Sequence, residues 1–233
     1  KKTSVLIPTG EPDIFCIKIK LFNKLILEDL NEILDSLRDK AISGIILDFQ
    51  DNEGGVLDFQ DNKNEETIYI IENLAGYFIP PGNKLYYIKT KSPGQKEFFS
   101  KESYYEESYY TVPLIGLINK KTASTAELIL GALKVYDRII LVGQNSLGAG
   151  HSKGFKSGYI EDKKIFFILL TSVFYLSDES TFDKTGLKPD YEILDNEQVL
   201  SKAVDILIER RKINNKRTKG RSSRVSLWET SPN

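Results

Sequence analysis

From Ile14 to Lys20 apolar and polar side chains alternate (Ile-Phe-Cys-Ile-Lys-Ile-Lys), the pattern of a half-buried strand. Within Ile26 to Ala41, Leu30, Ile33, Leu34 and Leu37 then recur at helical spacing. Gly44 to Phe49 runs apolar without alternation, as a strand covered on both faces of a parallel sheet does. Strand, helix and strand make a β-α-β unit. Asp51-Asn52-Glu53-Gly54-Gly55 breaks that strand with residues suited to tight backbone. Helical spacing resumes from Glu66 to Phe78 until Ile79-Pro80-Pro81-Gly82 stops it, and Lys84 to Lys89 predicts a further strand.

Thr90 to Thr111 is polar, tyrosine-rich and without a clear period, which predicts a long loop or an exposed hairpin. A second β-α-β unit follows: a buried strand from Pro113 to Asn119, a helix from Ser124 to Tyr136, and a buried strand from Arg138 to Gly143. After the glycine-rich turn Leu147-Gly148-Ala149-Gly150, two antiparallel strands are predicted through Gly154 to Ile160 and Ile165 to Leu176, and a last helix over Asn196 to Arg211. The basic stretch 214–233 has no apolar periodicity and reads as a flexible tail on a core domain of residues 1–213. The hexapeptide Leu-Asp-Phe-Gln-Asp-Asn occurs at 47 and again at 57, but two copies ten residues apart make no repeat architecture.

Composition narrows the function classes. The 32 Lys and Arg against 33 Asp and Glu leave a net charge of −1, so no electrostatic footprint for nucleic acid is present. The longest apolar runs are far short of the roughly 20 residues that span a bilayer, so no integral membrane segment is expected. Cys16 is the only cysteine, which excludes an internal disulfide and a cysteine-built zinc site. The chain begins Lys-Lys and contains no Met, as a trimmed form would.

In alternating α/β folds ligands bind beyond the carboxyl ends of the strands, which directs attention to the segments after Phe49, Asn119 and Gly143. The Gly54-Gly55 pair lets backbone N–H groups approach a ligand closely, as an oxyanion hole requires, although such a pair after a strand is also plain turn chemistry. Thr122-Ala123-Ser124-Thr125-Ala126-Glu127 leads small residues into a helix, and a hydroxyl at a helix start gains from the positive end of its dipole. Local sequence alone favours a humbler role for Ser124, because Ser124-x-x-Glu127 is also a capping box.

Together the three loops, from about Ile14 to Ile193, resemble the carboxyl-terminal processing, or tail-specific, serine proteases. The family's strand ending Asp-Leu-Arg and its Asn-Pro-Gly-Gly correspond to Leu47-Asp48-Phe49-Gln50-Asp51-Asn52-Glu53-Gly54-Gly55. Its Asn and Thr-Ala-Ser-Ala-Ser-Glu, followed by Gly-Ala-Leu, correspond to Asn119, Thr122 to Glu127, and Gly131-Ala132-Leu133. Its Gly-Arg-Ala, Val-Gly and Gly-Lys-Gly fall on Asp137-Arg138-Ile139, Val142-Gly143 and Gly148-Ala149-Gly150, and its closing Lys-Gly-Ile-x-Pro-Asp on Thr185 to Asp190. The resemblance implies a crotonase/ClpP-like spiral of β-β-α units, an α/β fold with a mixed sheet and flanking helices. It implies Ser124 as nucleophile, with an oxyanion hole made by Thr125 N–H and a glycine of the Gly54-Gly55 pair. The implied substrate is a protein or peptide with an apolar, unstructured C-terminus held beside a sheet edge. No metal or organic cofactor is implied, homo-oligomerisation stays open, and the implied address is extracytoplasmic. The family commonly carries a PDZ domain, but only about a dozen residues precede the first predicted strand here, so the expectation is a protease core without one.

One departure matters more than the others. Proteases of this family take the serine proton with a lysine, and Ala149 stands at the matching place. Lys153 occupies the position of a family glutamine, but four residues of strand put it roughly 13 Å away from position 149. His151, the only histidine, is roughly 6.6 Å along and offers a weaker alternative base. With no orienting carboxylate beside it in sequence, a solvated, noncatalytic His151 is the expectation. Ala149 is compatible with an introduced Lys→Ala change, with a natural pseudoprotease that binds peptides as a scaffold, or with a base supplied from elsewhere. A crotonase-type acyl-CoA enzyme fits less well, since the Thr-Ala-Ser-x-x-Glu run is not that family's pattern. If a lysine is what position 149 normally carries, Ala149→Lys raises the rate of acyl-enzyme formation by roughly 10³ to 10⁶, and an unchanged rate contradicts that assignment.

Overall fold

Strands that run apolar without alternation form the middle of the molecule. In the computed structural model, which describes residues 2–23, 25–55, 64–90, 95–102, 109–160 and 163–225, β3 (Gly44–Asp48) and β6 (Leu114–Ile118) are buried at every position. They sit at the centre of a six-stranded sheet ordered β1-β2-β3-β6-β7-β10. β2 (Ile14–Ile19), β3, β6, β7 (Ile139–Gly143) and β10 (Tyr191–Glu192) are parallel neighbours, while β1 (Ser4–Ile7) adds an antiparallel edge to β2. A second, antiparallel sheet follows the order β5-β4-β9-β8, from β4 (Lys84–Thr90), β5 (Gln95–Phe99), β8 (His151–Ile160) and β9 (Lys163–Leu176). The mixed α/β architecture is the one expected, and both predicted β-α-β units are present.

Helices cover the two faces of the main sheet. α1 (Ile26–Leu37), α2 (Asn64–Gly76) and α3 (Thr125–Val135) share one core with the second sheet, built on Leu34, Phe49, Leu74, Leu128, Tyr86 and Phe174. Full burial of each such side chain contributes about 1.5–3 kcal/mol. On the opposite face α4 (Asn196–Val225) lays Val199, Ala203 and Leu207 against Cys16, Ile46 and Leu117. Burial pushes the Cys16 thiol up to about 12, with the Asp48 charge adding to the rise, so it packs as a neutral side chain.

Two differences from the expectations have physical causes. β1 and β10 were not foreseen: four and two residues are too short for a periodic pattern. The segment after β4 supplies β5, so the first part of 90–111 forms a hairpin, one of its two expected forms; residues 103–108, like the second copy of the hexapeptide, lie outside the described residues. The last helix does not stop at Arg211 but continues to Val225, taking in residues 214–225 of the expected flexible tail, because the apolar spacing that set the expected end marks where a helix is buried and not where its backbone ladder stops.

Near its middle α4 is tied to the loop before β2. Arg211 Nη1 donates to both oxygens of Asp13, at 2.6 and 2.8 Å, and Nη2 to Glu11 at 3.1 Å. The guanidinium holds the Asp13 carboxyl below its usual range, so its contribution to stability is present above the unfolded carboxylate range and is lost as pH falls through the lowered folded value. Asp13→Asn is therefore expected to lower the melting temperature at pH 7, and the gap from the unaltered chain is expected to close below about pH 4, as thermal unfolding followed by circular dichroism at both pH values would report.

Candidate active site

The loops that leave β3 and β6 are joined by side chains acting as backbone substitutes. Asn52, fully buried, donates from Nδ2 to Ile19 O at 2.8 Å and accepts the Gly54 N–H on Oδ1 at 2.9 Å, while Ala123 N–H donates to Asn52 O at 3.0 Å. Asn119 Oδ1 accepts the N–H groups of Asp51 and Lys121, and Thr122 Oγ1 accepts Asn119 N–H while donating to Phe49 O. The bond from Asn119 Nδ2, aided by Lys121 at 3.5 Å, holds the Asp51 carboxyl below its usual range. These bonds bring the glycine pair to the serine. Gly54 has φ +86°, and a Cβ there would lie 2.8 Å from both Ser124 Cβ and Ala123 O and 3.0 Å from Thr125 N, a closeness only glycine permits.

Ser124 precedes the first turn of α3 with φ 55° and ψ −117°, a left-handed backbone conformation for a residue with a side chain. Such a conformation costs of order 1–3 kcal/mol and persists only where the surroundings enforce it. Glu127 does so. The expected capping box forms, with Ser124 N–H donating to Glu127 Oε2 at 2.9 Å. The same fully buried carboxylate accepts Ala149 N–H on Oε2 at 2.8 Å, and Gly148 N–H and Ser146 Oγ–H on Oε1 at 2.7 and 2.5 Å. The capping reading and the nucleophile reading thus meet in one residue, since the cap is also what ties Ser124 to the loop carrying position 149.

Ser124 opens onto a groove of about 520 Å³, bordered also by Glu53, Lys120, Lys121, Ala149 and His151. The Thr125 N–H begins α3 beside Gly54, and neither it nor the Gly55 N–H has an acceptor among the described residues. Lys153 pairs with Leu170 beyond an irregularity in the β8–β9 register, and its side chain lies outside the described residues.

His151 departs from expectation. Its side chain is 19% exposed rather than solvated, and Nδ1 lies 2.5 Å from Asp183 Oδ1, itself 13% exposed. Thirty-two positions separate the two, so no local spacing marks Asp183. The signal lay in the predicted antiparallel pairing: His151 pairs with Val173 near the end of β9, and the chain beyond must turn back past it.

Ser124 is thus a strained serine at a helix start that lines a groove and packs against Gly54. The chain belongs to peptidase family S41, whose sequence model matches residues 13–193. It is 28% identical over 173 residues to the carboxy-terminal processing protease CtpA of Bacillus subtilis, covering 74% of this chain and 33% of that protein. To carboxyl-terminal-processing peptidase 1, chloroplastic, of Arabidopsis thaliana it is 30% identical over 145 residues, covering 62% of this chain and 27% of that protein. The chain thus spans about a third of the length of these curated relatives. Among solved structures, a lipoprotein from Streptococcus agalactiae superposes with a TM-score of 0.65 at 21% identity, over 90% of this chain and 70% of that one. The photosystem II D1 C-terminal processing protease superposes with a TM-score of 0.62 at 20% identity, over 81% of this chain and 46% of that one. These likenesses support the fold, and the family is the one the loop motifs resemble.

Glu127→Gln would turn an amide N–H₂ toward donors that need an acceptor. We expect it to destabilise the chain by about 2–4 kcal/mol in urea unfolding, and a loss below about 0.5 kcal/mol would contradict the role given to the carboxylate.

Proposed function

We propose that residues 1–213 form the core of a serine endopeptidase of the carboxyl-terminal processing type, with Ser124 as nucleophile. The observation that carries this reading is the packing of Gly54 against Ser124 Cβ and Thr125 N, which brings the loop after β3 onto the start of α3 beside the serine. Ser124 Oγ attacks the scissile carbonyl carbon, and the oxygen that becomes negative is received by Thr125 N–H and Gly55 N–H. Gly55 takes this part because Gly54 N–H already donates to Asn52. A pair of fixed donors aimed at that oxygen is the main source of rate in acyl transfer, each worth about 10² to 10³ in kcat. The route needs no metal or organic cofactor.

The substrate we infer is a protein with an unstructured, apolar C-terminal tail, bound extended so that main-chain bonds give affinity and pockets choose side chains. The relatives' names, which specify carboxyl-terminal processing, support action at a protein's C-terminal end, and an extracytoplasmic address is inferred from the family resemblance. Ala149 has a methyl group where the family's base stands, so the lysine route is closed in this chain. That same residue favours a second reading, a pseudoprotease that binds peptides without turning them over.

A fluorophosphonate probe separates the two. The protease reading predicts labelling at Ser124, mapped by peptide mass spectrometry and absent from Ser124→Ala. A chain that binds extended apolar peptides while Ser124 stays unlabelled supports the scaffold reading instead.

A further inference from the structure

The His151–Asp183 pair is not used by the lysine route, and His151 borders the same groove as Ser124. The geometry points to His151, oriented by Asp183, as the general base that takes the Ser124 hydroxyl proton in place of the absent lysine. This rests on Ser124 being the nucleophile and says how that hydroxyl is activated.

Three observations support it. A carboxylate only accepts hydrogen bonds, so in the neutral imidazole a 2.5 Å contact from Nδ1 to Asp183 Oδ1 selects the Nδ1–H tautomer, the one whose Nε2 carries the lone pair a base needs. Asp183 is held by backbone rather than by chance packing. A Cβ at Gly150 would lie 2.6 Å from the Asp183 Cα and N, so the segment bearing the aspartate rests directly on the residue before His151. Lys184, with φ 63°, returns its N–H to Gly148 O at 2.8 Å, and Asp183 N–H donates to Thr181 Oγ1 at 3.1 Å. The base and the nucleophile are also tied to one another. Ser124 N–H and Ala149 N–H share Glu127 Oε2, and His151, the first residue of β8, follows two residues after Ala149. Contacts between a base and a serine hydroxyl commonly tighten only when substrate is bound.

The step balances without an outside reagent. The Ser124 O–H proton passes to His151 Nε2 as the Oγ–carbon bond forms. The imidazolium then gives that proton to the leaving amine as the carbon–nitrogen bond breaks. Water hydrolyses the acyl-enzyme by the same relay in reverse order. Asp183 keeps its negative charge throughout and serves as a positioning residue.

His151 is the only histidine, so the test can be made on the unaltered chain. Diethyl pyrocarbonate, which carbethoxylates imidazole, is expected to slow fluorophosphonate labelling of Ser124 at least 100-fold, and hydroxylamine is expected to restore it. His151→Gln, checked for an unchanged melting temperature, is expected to slow labelling by a similar factor, and Ala149→Lys in that background to restore it. In ¹⁵N spectra the single imidazole is expected to show the Nδ1–H form, and Asp183→Asn to shift it toward the Nε2–H form. Labelling that slows less than tenfold in the carbethoxylated chain or in His151→Gln overturns the role of His151 while leaving Ser124 as nucleophile. Absence of labelling in the untreated chain removes the nucleophile and this inference with it.

Discussion

Glu127 is fully buried, yet its two carboxylate oxygens meet four donors: three backbone N–H groups and one hydroxyl. In its ionised form a carboxylate offers about four lone-pair sites and donates nothing, so this environment leaves none of them idle. A buried acceptor satisfied so completely stabilises one arrangement and penalises the alternatives, because each displaced donor would lose its partner away from solvent. Two otherwise separate pieces of chain, the start of α3 and the turn from Ser146 to Ala149, are thereby fixed to each other. The left-handed backbone at Ser124 is tolerated for the same reason.

Glycines then set how near the remaining pieces come. At Gly54 the loop after β3 touches the serine's own Cβ, and at Gly150 the entry to β8 touches the backbone of Asp183. Neither contact survives a side chain at those positions without movement. Ser124, against which Gly54 packs, and His151, which follows Gly150, border a common groove. Preorganisation of this kind is what electrostatic catalysis requires, since dipoles already in place need not be reordered during the reaction.

Much of this was legible in the chain. The continuous apolar runs at 44–49 and 113–119 could be satisfied only by strands covered on both faces, and the structure buries them as such. The association of the Gly54-Gly55 loop with Ser124 rested on three motifs in order, and in the structure Gly54 packs against Ser124 while Gly55 packs against Phe22. What could not be read depends on contacts between distant positions. β10 exists because two residues find an edge of β7, a fact of the folded sheet and not of a periodic pattern. The environment of His151 was misjudged because its carboxylate partner arrives through the return of a long hairpin. The end of α4 was placed early because apolar spacing reports where a helix is buried, not where its backbone stops bonding.

The most direct measurement of the central claim is a crystal structure of the chain after reaction with a peptidyl phosphonate. The account predicts a phosphorus–oxygen bond to Ser124 Oγ, with the phosphonyl oxygen within about 3 Å of both Thr125 N and Gly55 N. An adduct on another side chain, or a phosphonyl oxygen turned to solvent away from those two N–H groups, would contradict it.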